Sequence, residues 1–212
     1  MKAATLIGLV CLAIVHGGVL PNTQCDPLRF NVCTTAFAKE LGLPDMPTDP
    51  NVIVAQMNKL LTNKGLNGQK QVCEAIEDMK TCLGDEYSTC ISVPFLTSVG
   101  EKGQDAMVFV IMAAQQDYIC TTGWDTFSKN WACINDVGQK NIEVLAKCQM
   151  DYGMSLAKDP ANACKYNQVL TDCYMAPFKA SCDPSAYDVM CNSMKVSYTT
   201  VFQRCTITCA KQ

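Results

Sequence analysis

Near the C-terminus the apolar positions fall at Tyr187, Cys191, Met194, Tyr198, Val201 and Cys205, in alternating steps of four and three. That rhythm places all six on one stripe of an α-helix. Asp183-Pro184 opens the stripe with a side-chain acceptor at the N-cap and a proline whose fixed φ suits the first helical position. Cys209 lies one turn beyond Cys205. The pattern therefore predicts one long helix from Asp183 to Cys209, with three cysteines on its buried side. The same Asp-Pro start recurs at Asp26, Asp49 and Asp159.

Earlier segments repeat the helical period. Leu28, Val32, Cys33, Ala36, Phe37 and Leu41 form a first stripe ended by Gly42, and Ile53, Met57, Leu60 and Leu61 form a second ended by Gly65. Cys73, Ile76, Lys80 and Leu83 mark a third helix over about 69–83, stopped by Gly84. The segment after Asp105 carries Val108, Ile111, Met112, Gln115, Tyr118 and Ile119, with Val110 on the other side. Apolar nearly all round, it is expected to be the central helix. Trp124, Phe127, Trp131 and Ile134 predict another. Ile142, Leu145, Cys148 and Tyr152 predict the next after Gly138. Cys164, Leu170 and Cys173 predict a helix that stops at Pro177. No hairpin signal separates two alternating runs. The expected fold is all-α, with about eight or nine disulfide-stapled helices. Pro94 and the glycines at 100 and 103 predict a subdivision near 95–104, between two related halves over 25–98 and 104–212.

The N-terminus follows a different pattern. Lys2 precedes an apolar run from Ala3 to Val15, with Val15 and Gly17 at the −3 and −1 positions of a cleavage site. This predicts a secretory signal peptide over 1–17 and a mature Cys-rich helical domain over 18–212. The run is shorter than the roughly 20 residues of a membrane span, and no later stretch reaches that length. Cleavage would remove one of the 15 cysteines, Cys11, and the single histidine, His16. The formal charge of −3 would become about −4 without Lys2, and no basic cluster offers a surface for nucleic acid.

Fourteen cysteines would remain: Cys25, Cys33, Cys73, Cys82, Cys90, Cys120, Cys133, Cys148, Cys164, Cys173, Cys182, Cys191, Cys205 and Cys209. An even count in an exported chain predicts disulfides. No Cys-x-x-Cys and no mature histidine is present, so no metal site is expected. Steps of eight and nine recur, as in Cys73-Cys82, Cys164-Cys173 and Cys182-Cys191. They suit a cysteine near each end of a two-turn helix, each tied to a neighbouring helix. Cys205 and Cys209 are expected to bond two different partners. Connectivity stays open, since fourteen cysteines allow on the order of 10⁵ pairings.

This spacing, the leader, and the Trp131-Ala-Cys133 and Phe202-Gln-Arg-Cys205 contexts together resemble a secreted Cys-rich domain family of unknown function, abundant in nematodes and seen in other invertebrates. The likeness covers roughly Cys25 to Cys209 and is one of spacing. It implies an extracellular, all-helical, disulfide-bonded fold and carries no catalytic residue. The Cys-studded helices also resemble, in spacing alone, the ectodomains of growth-factor co-receptors.

Without histidine the mature chain lacks the base of Ser-His-Asp and Cys-His catalysis. No phosphate loop, EF-hand loop or G-x-S-x-G occurs. Glu74, Glu77 and Asp78 on one helix read as a solvated face, with no second carboxylate set opposite them for glycoside hydrolysis. The expected protein is therefore not an enzyme and has no cofactor. It is a secreted binding or interaction protein that meets an extracellular protein partner. The alternative is a carrier of a small apolar ligand in an interhelical cavity, lined by Met107, Met112, Trp124 and Trp131. Met107, Met112, Met150, Met154, Met190 and Met194 could also form an adaptable apolar surface, methionine being flexible and polarizable.

Overall fold

The computed structural model describes residues 24–210. The leader expected over 1–17 lies outside the described residues. Among those residues there is no strand, and the fold is all-α. The helices are α1 (Pro27–Glu40), α2 (Pro50–Lys64), α3 (Leu66–Leu83), α4 (Tyr87–Cys90), α5 (Val93–Ser98), α6 (Gly103–Cys120), α7 (Trp124–Lys129), α8 (Trp131–Lys140), α9 (Ile142–Lys158), α10 (Ala163–Ser181) and α11 (Pro184–Val201). Single 3₁₀ turns, Gly84–Glu86 and Pro160–Asn162, precede α4 and α10.

Two of the four Asp-Pro starts use the side chain as a cap. The carboxylate of Asp26 accepts from the Leu28 backbone N–H, and that of Asp49 from the Asn51 backbone N–H, both at 2.9 Å. At Asp183 the proline alone starts the helix, with no side-chain capping bond. Asp159-Pro160 opens a 3₁₀ turn first, and α10 begins at Ala163.

Two hydrophobic cores lie along the chain. The first gathers Phe37, Leu41, Ile53, Ile76, Met79 and Leu83 from α1–α3. The second gathers Ile134, Leu170, Phe178, Tyr187, Met194 and Ile207. Helix α6 serves both, with Phe109, Val110 and Ala113 in the first and Ile119 in the second. It packs on α2, α3, α5, α7 and, most extensively, α11. That explains its unbroken apolar run over 106–114: a helix surrounded by others has little wet face to make polar there.

All fourteen described cysteines are paired, as 25–90, 33–82, 73–120, 133–182, 148–173, 164–205 and 191–209. The first two bridges are nested and set α1 antiparallel to α3, and Cys148–Cys173 does the same for α9 and α10. No described bridge joins a residue before 121 to one after 132. The two disulfide-closed segments are therefore held together by packing, chiefly of α11 on α6.

Three expectations change. Helix α11 ends at Val201, and residues 202–210 fold back along α10 and α11 without regular structure. A continued helix would carry Cys209 about 27 Å from Cys191, whereas their Cα atoms are 5.9 Å apart in the bridge. The returning segment is pinned where the Thr208 backbone N–H donates to Gln168 Oε1 (2.9 Å) and Gln168 Nε2 donates to the Thr208 carbonyl (3.0 Å). It also buries Ile207. Second, α10 runs through Pro177 to Ser181. Phe178 is buried one residue on, and the Cys133–Cys182 bridge anchors the last turn. These contacts offset the missing N–H. Third, α1 is rotated from its expected face. Cys33, Thr34, Phe37, Ala38 and Leu41 are buried, while Leu28 and Val32 are 77% and 66% exposed. Cys33 must face α3 to meet Cys82, which turns the 28–32 edge outward.

Smaller differences follow local geometry. The helix expected from Trp124 to Ile134 is two, divided at Asn130, whose side-chain amide donates to the Thr126 carbonyl (2.8 Å). Gly138 lies inside α8, and the break falls at Asn141.

Candidate functional site

Helix α9 lies on the outside of the second core. Its inner face is Leu145, Cys148 and Tyr152. Cys148 is bonded to Cys173, and the Tyr152 hydroxyl donates to Asn167 Oδ1 at 2.8 Å. Asn167 is fully buried, and its amide nitrogen lies 3.9 Å from Cys205 Sγ. The Tyr152 ring meets Tyr198 of α11 edge-on, with centroids 5.8 Å apart. Burial pushes the Tyr152 phenol up to about 12, since a phenolate would lose its hydration there. These contacts fix the rotation of α9 about its axis.

With the inner face fixed, the opposite face is Ile142, Ala146, Met150, Gly153, Met154 and Ala157, spaced at helical intervals and all exposed. Ile142, Met150 and Met154 are 63%, 62% and 60% exposed. Glu143 points outward near the N-terminal end of this face, and Lys147, Asp151 and Lys158 border it on one side, with Lys147 Nζ 2.7 Å from Asp151 Oδ2. Scattered exposed apolar residues are ordinary, but a contiguous face of them signals interaction. Two methionines between small residues give that face depth and adaptability. From the sequence, Ile142 was expected on the inside with Leu145. The i, i+4 series Ile142, Ala146, Met150, Met154 was the signal that the helix is apolar on two faces.

The four residues expected to line a cavity are not brought together. Met112 is buried in the first core, and Trp131 packs half-buried against the second, 5.6 Å from the Phe127 ring. Met107 and Trp124 are half-buried elsewhere on α6 and α7. Of the other methionines, Met194 is buried and Met190 half-buried on α11. A depression of about 40 Å³ opens between Phe30, Met46, Leu96, Ala106 and Phe109, about the space of a water molecule or two. Beside it a shallow polar groove of about 530 Å³ is rimmed by Asp49, Glu101, Lys102 and Asp105. Asp49 in that groove is already engaged as the cap of α2. None of the four expected residues lines either depression.

Two further clusters have structural explanations. Cys25, Glu86 and Cys90 lie within ligand distance of one another, but the sulfurs are bonded to each other. Glu86 accepts from the Asp26 backbone N–H and from Arg29 Nη1. No thiolate is left, so the donor set does not fit a metal. At the end of α1, Glu40 faces Asp78 and Glu74 of α3. Desolvation, then hydrogen bonding and repulsion from Asp78, raise its carboxyl above the usual range. These carboxylates stand on an exposed surface, outside both depressions.

No protein-family model, curated protein or solved structure matches the chain.

Proposed function

We propose that this is a secreted, non-enzymatic binding protein that meets an extracellular protein partner through the outer face of α9. The observation that carries this reading is that face, with Ile142, Met150 and Met154 each more than half exposed on one side of a rigidly seated helix. The seven bridges fit an oxidising compartment. No helix of the described residues is long and apolar enough to cross a membrane. The bridges also support the binding reading through rigidity, because a scaffold that does not reorganise loses less entropy on association. The resemblance to a secreted Cys-rich helical family points the same way.

The test is native mass measurement of the protein taken from its own secretion, paired with oxidative footprinting of its methionines. Mass equal to the chain plus a protein partner, with Met150 and Met154 protected in the complex and oxidised in the isolated chain, supports the reading. A discrete excess of a few hundred daltons lost on denaturation, with Met150 and Met154 oxidised throughout, would replace it with the small-ligand carrier.

A further inference from the structure

We propose that the chain is two copies of one six-cysteine module, over 25–120 and 133–209, and that α6 and α11 are the faces by which one module docks on the other.

The pairing scheme repeats. Taken in order, the six cysteines of the first segment pair first with fifth (Cys25–Cys90), second with fourth (Cys33–Cys82) and third with sixth (Cys73–Cys120). With the Cys191–Cys209 bridge set aside, the six of the second segment pair identically, as Cys133–Cys182, Cys148–Cys173 and Cys164–Cys205. Six cysteines admit about 15 pairings, and here the packing around them agrees as well. The second cysteine lies on α1 or α9, and the third and fourth lie nine residues apart on α3 or α10. Helix α1 turns Phe30, Cys33 and Phe37 inward, and α9 turns Leu145, Cys148 and Tyr152 inward at the same offsets. Ile76 and Met79 follow Cys73 by three and six residues, as Asn167 and Leu170 follow Cys164, and all four are buried. The sixth cysteine ends α6 in one module and follows α11 in the other. Helices α1, α3 and α6 therefore correspond to α9, α10 and α11. Helix α2 is an addition to the first module, and the Cys191–Cys209 bridge an addition to the second. The repeat puts the boundary at 121–132, since Cys73–Cys120 crosses a division near 95–104.

The correspondence also shows how the modules meet. Helices α6 and α11, the last of each, pack on one another more extensively than any other two. Ile111, Tyr118 and Ile119 of α6 join the second core, and Val201 of α11 packs against the first. Each module thus completes the other's core. Ser193 of α11 is fully buried, and its hydroxyl accepts from Gln115 Nε2 of α6 at 3.5 Å. Interdigitated side chains without a covalent tie are what two separate chains use to associate. The partner that this surface fits is a module of the same kind.

A protease site inserted between Thr121 and Thr122, in an exposed turn of the full mature chain, tests this. After cleavage the two pieces are expected to keep the native mass of one chain and to separate in denaturant without reductant. Returned singly to buffer, each should regain its helical circular dichroism, and mixing should restore a one-to-one complex. Ser193→Arg should weaken that association by about a hundredfold by burying an unpaired charge. Val169→Arg, on the exposed side of α10, should leave it unchanged. Loss of helix in either isolated piece overturns the proposal. So do refolded pieces that fail to reassociate, or an association indifferent to Ser193→Arg. Hydrogen exchange of the uncut wild-type chain in rising denaturant gives a reading that does not depend on the insertion. Amides of α1 and α3 opening as one group, and those of α9 and α10 as another, support two modules, and a single group spanning all four helices overturns them.

Discussion

Gly68 in α3 sits against the backbone of α2 so closely that a Cβ placed on it would collide with the Leu60 carbonyl oxygen and stand 2.5 Å from its carbon. The two helices are joined at Gly65, which takes φ +58° between them. They therefore meet at a tight angle, with only a hydrogen atom to spare. Leu60 cannot move without opening the hairpin, since backbone lacks the give of a side-chain tip. Gly68→Ala is expected to destabilise the fold by about 3 kcal/mol, the upper part of the usual overpacking range. A denaturation midpoint lowered without a change in slope would confirm a native-state clash.

The pairing predicts a particular peptide map. Digestion without reduction should yield linked peptides on either side of Lys129 and none across it, since the nearest bridges are Cys73–Cys120 and Cys133–Cys182. A single linked pair spanning Lys129 would refute the connectivity.

The returning C-terminal segment depends on its two bridges. Replacing Cys191 and Cys209 together by alanine removes the shorter closure, of 18 residues, at a cost of about 3 kcal/mol on the chain-entropy scale. Hydrogen exchange is the measurement of choice. Amides of 205–210 should lose protection, while those of α6, held by both cores, should keep it.

Alkaline stability should track buried tyrosines. The unfolded phenol titrates near 10, while Tyr152 in the folded chain titrates at about 12. Tyr174 and Tyr198 are pushed the same way by burial. A raised folded value means the unfolded state releases its proton first as pH climbs. The contribution is thus complete below about pH 10 and lost between about 10 and 12. Tyr152→Phe should flatten part of this fall. At neutral pH it should cost about 1–2 kcal/mol, because Asn167 Oδ1 stays buried without its donor. Thermal midpoints across pH 8–12 would show both effects.

Glu40 gives the opposite experiment at low pH. Its carboxyl is raised by desolvation and by Asp78, so the folded state holds that proton more tightly than the unfolded chain does. Any stabilisation is present in acid and lost as pH rises through the carboxylate range. Glu40→Gln should therefore raise the melting temperature slightly at pH 7 and leave it unchanged near pH 3. An equal change at both values would show that charge is not the cause.

Much of the fold was legible in the chain. The central place of α6 followed from its apolar residues on all sides, and the beginnings of α1 and α2 followed from Asp26-Pro27 and Asp49-Pro50. Which way a helix faces was less legible where apolar residues lie on two sides. In α1 the 28–32 edge and the 33–37 edge are equally periodic, and only the bond from Cys33 to Cys82 chooses between them. In α9, Ile142 continues the outer series as well as it continues the inner one. The end of α11 was hidden for a related reason. Cys205 keeps the helical period past Val201, but the bonds to Cys164 and Cys191 draw the chain back, and no glycine or proline marks the place. The methionine and tryptophan residues grouped as cavity lining share a chemistry, and chemistry alone does not say which side chains converge.

The division of the bridges at 121–132 bears on how the molecule is made. A chain emerges from its N-terminus onward, and units that close early are spared later competition. Cys25 to Cys120 form a complete set of three bonds before Cys133 arrives. Six cysteines can pair in roughly 15 ways and eight in roughly 105, against on the order of 10⁵ for fourteen mixed together. Sequential closure thus confines the search to two small problems, and errors in the second leave the first untouched. The packing of α11 on α6 then becomes a late step, made between two parts whose covalent frames are already set.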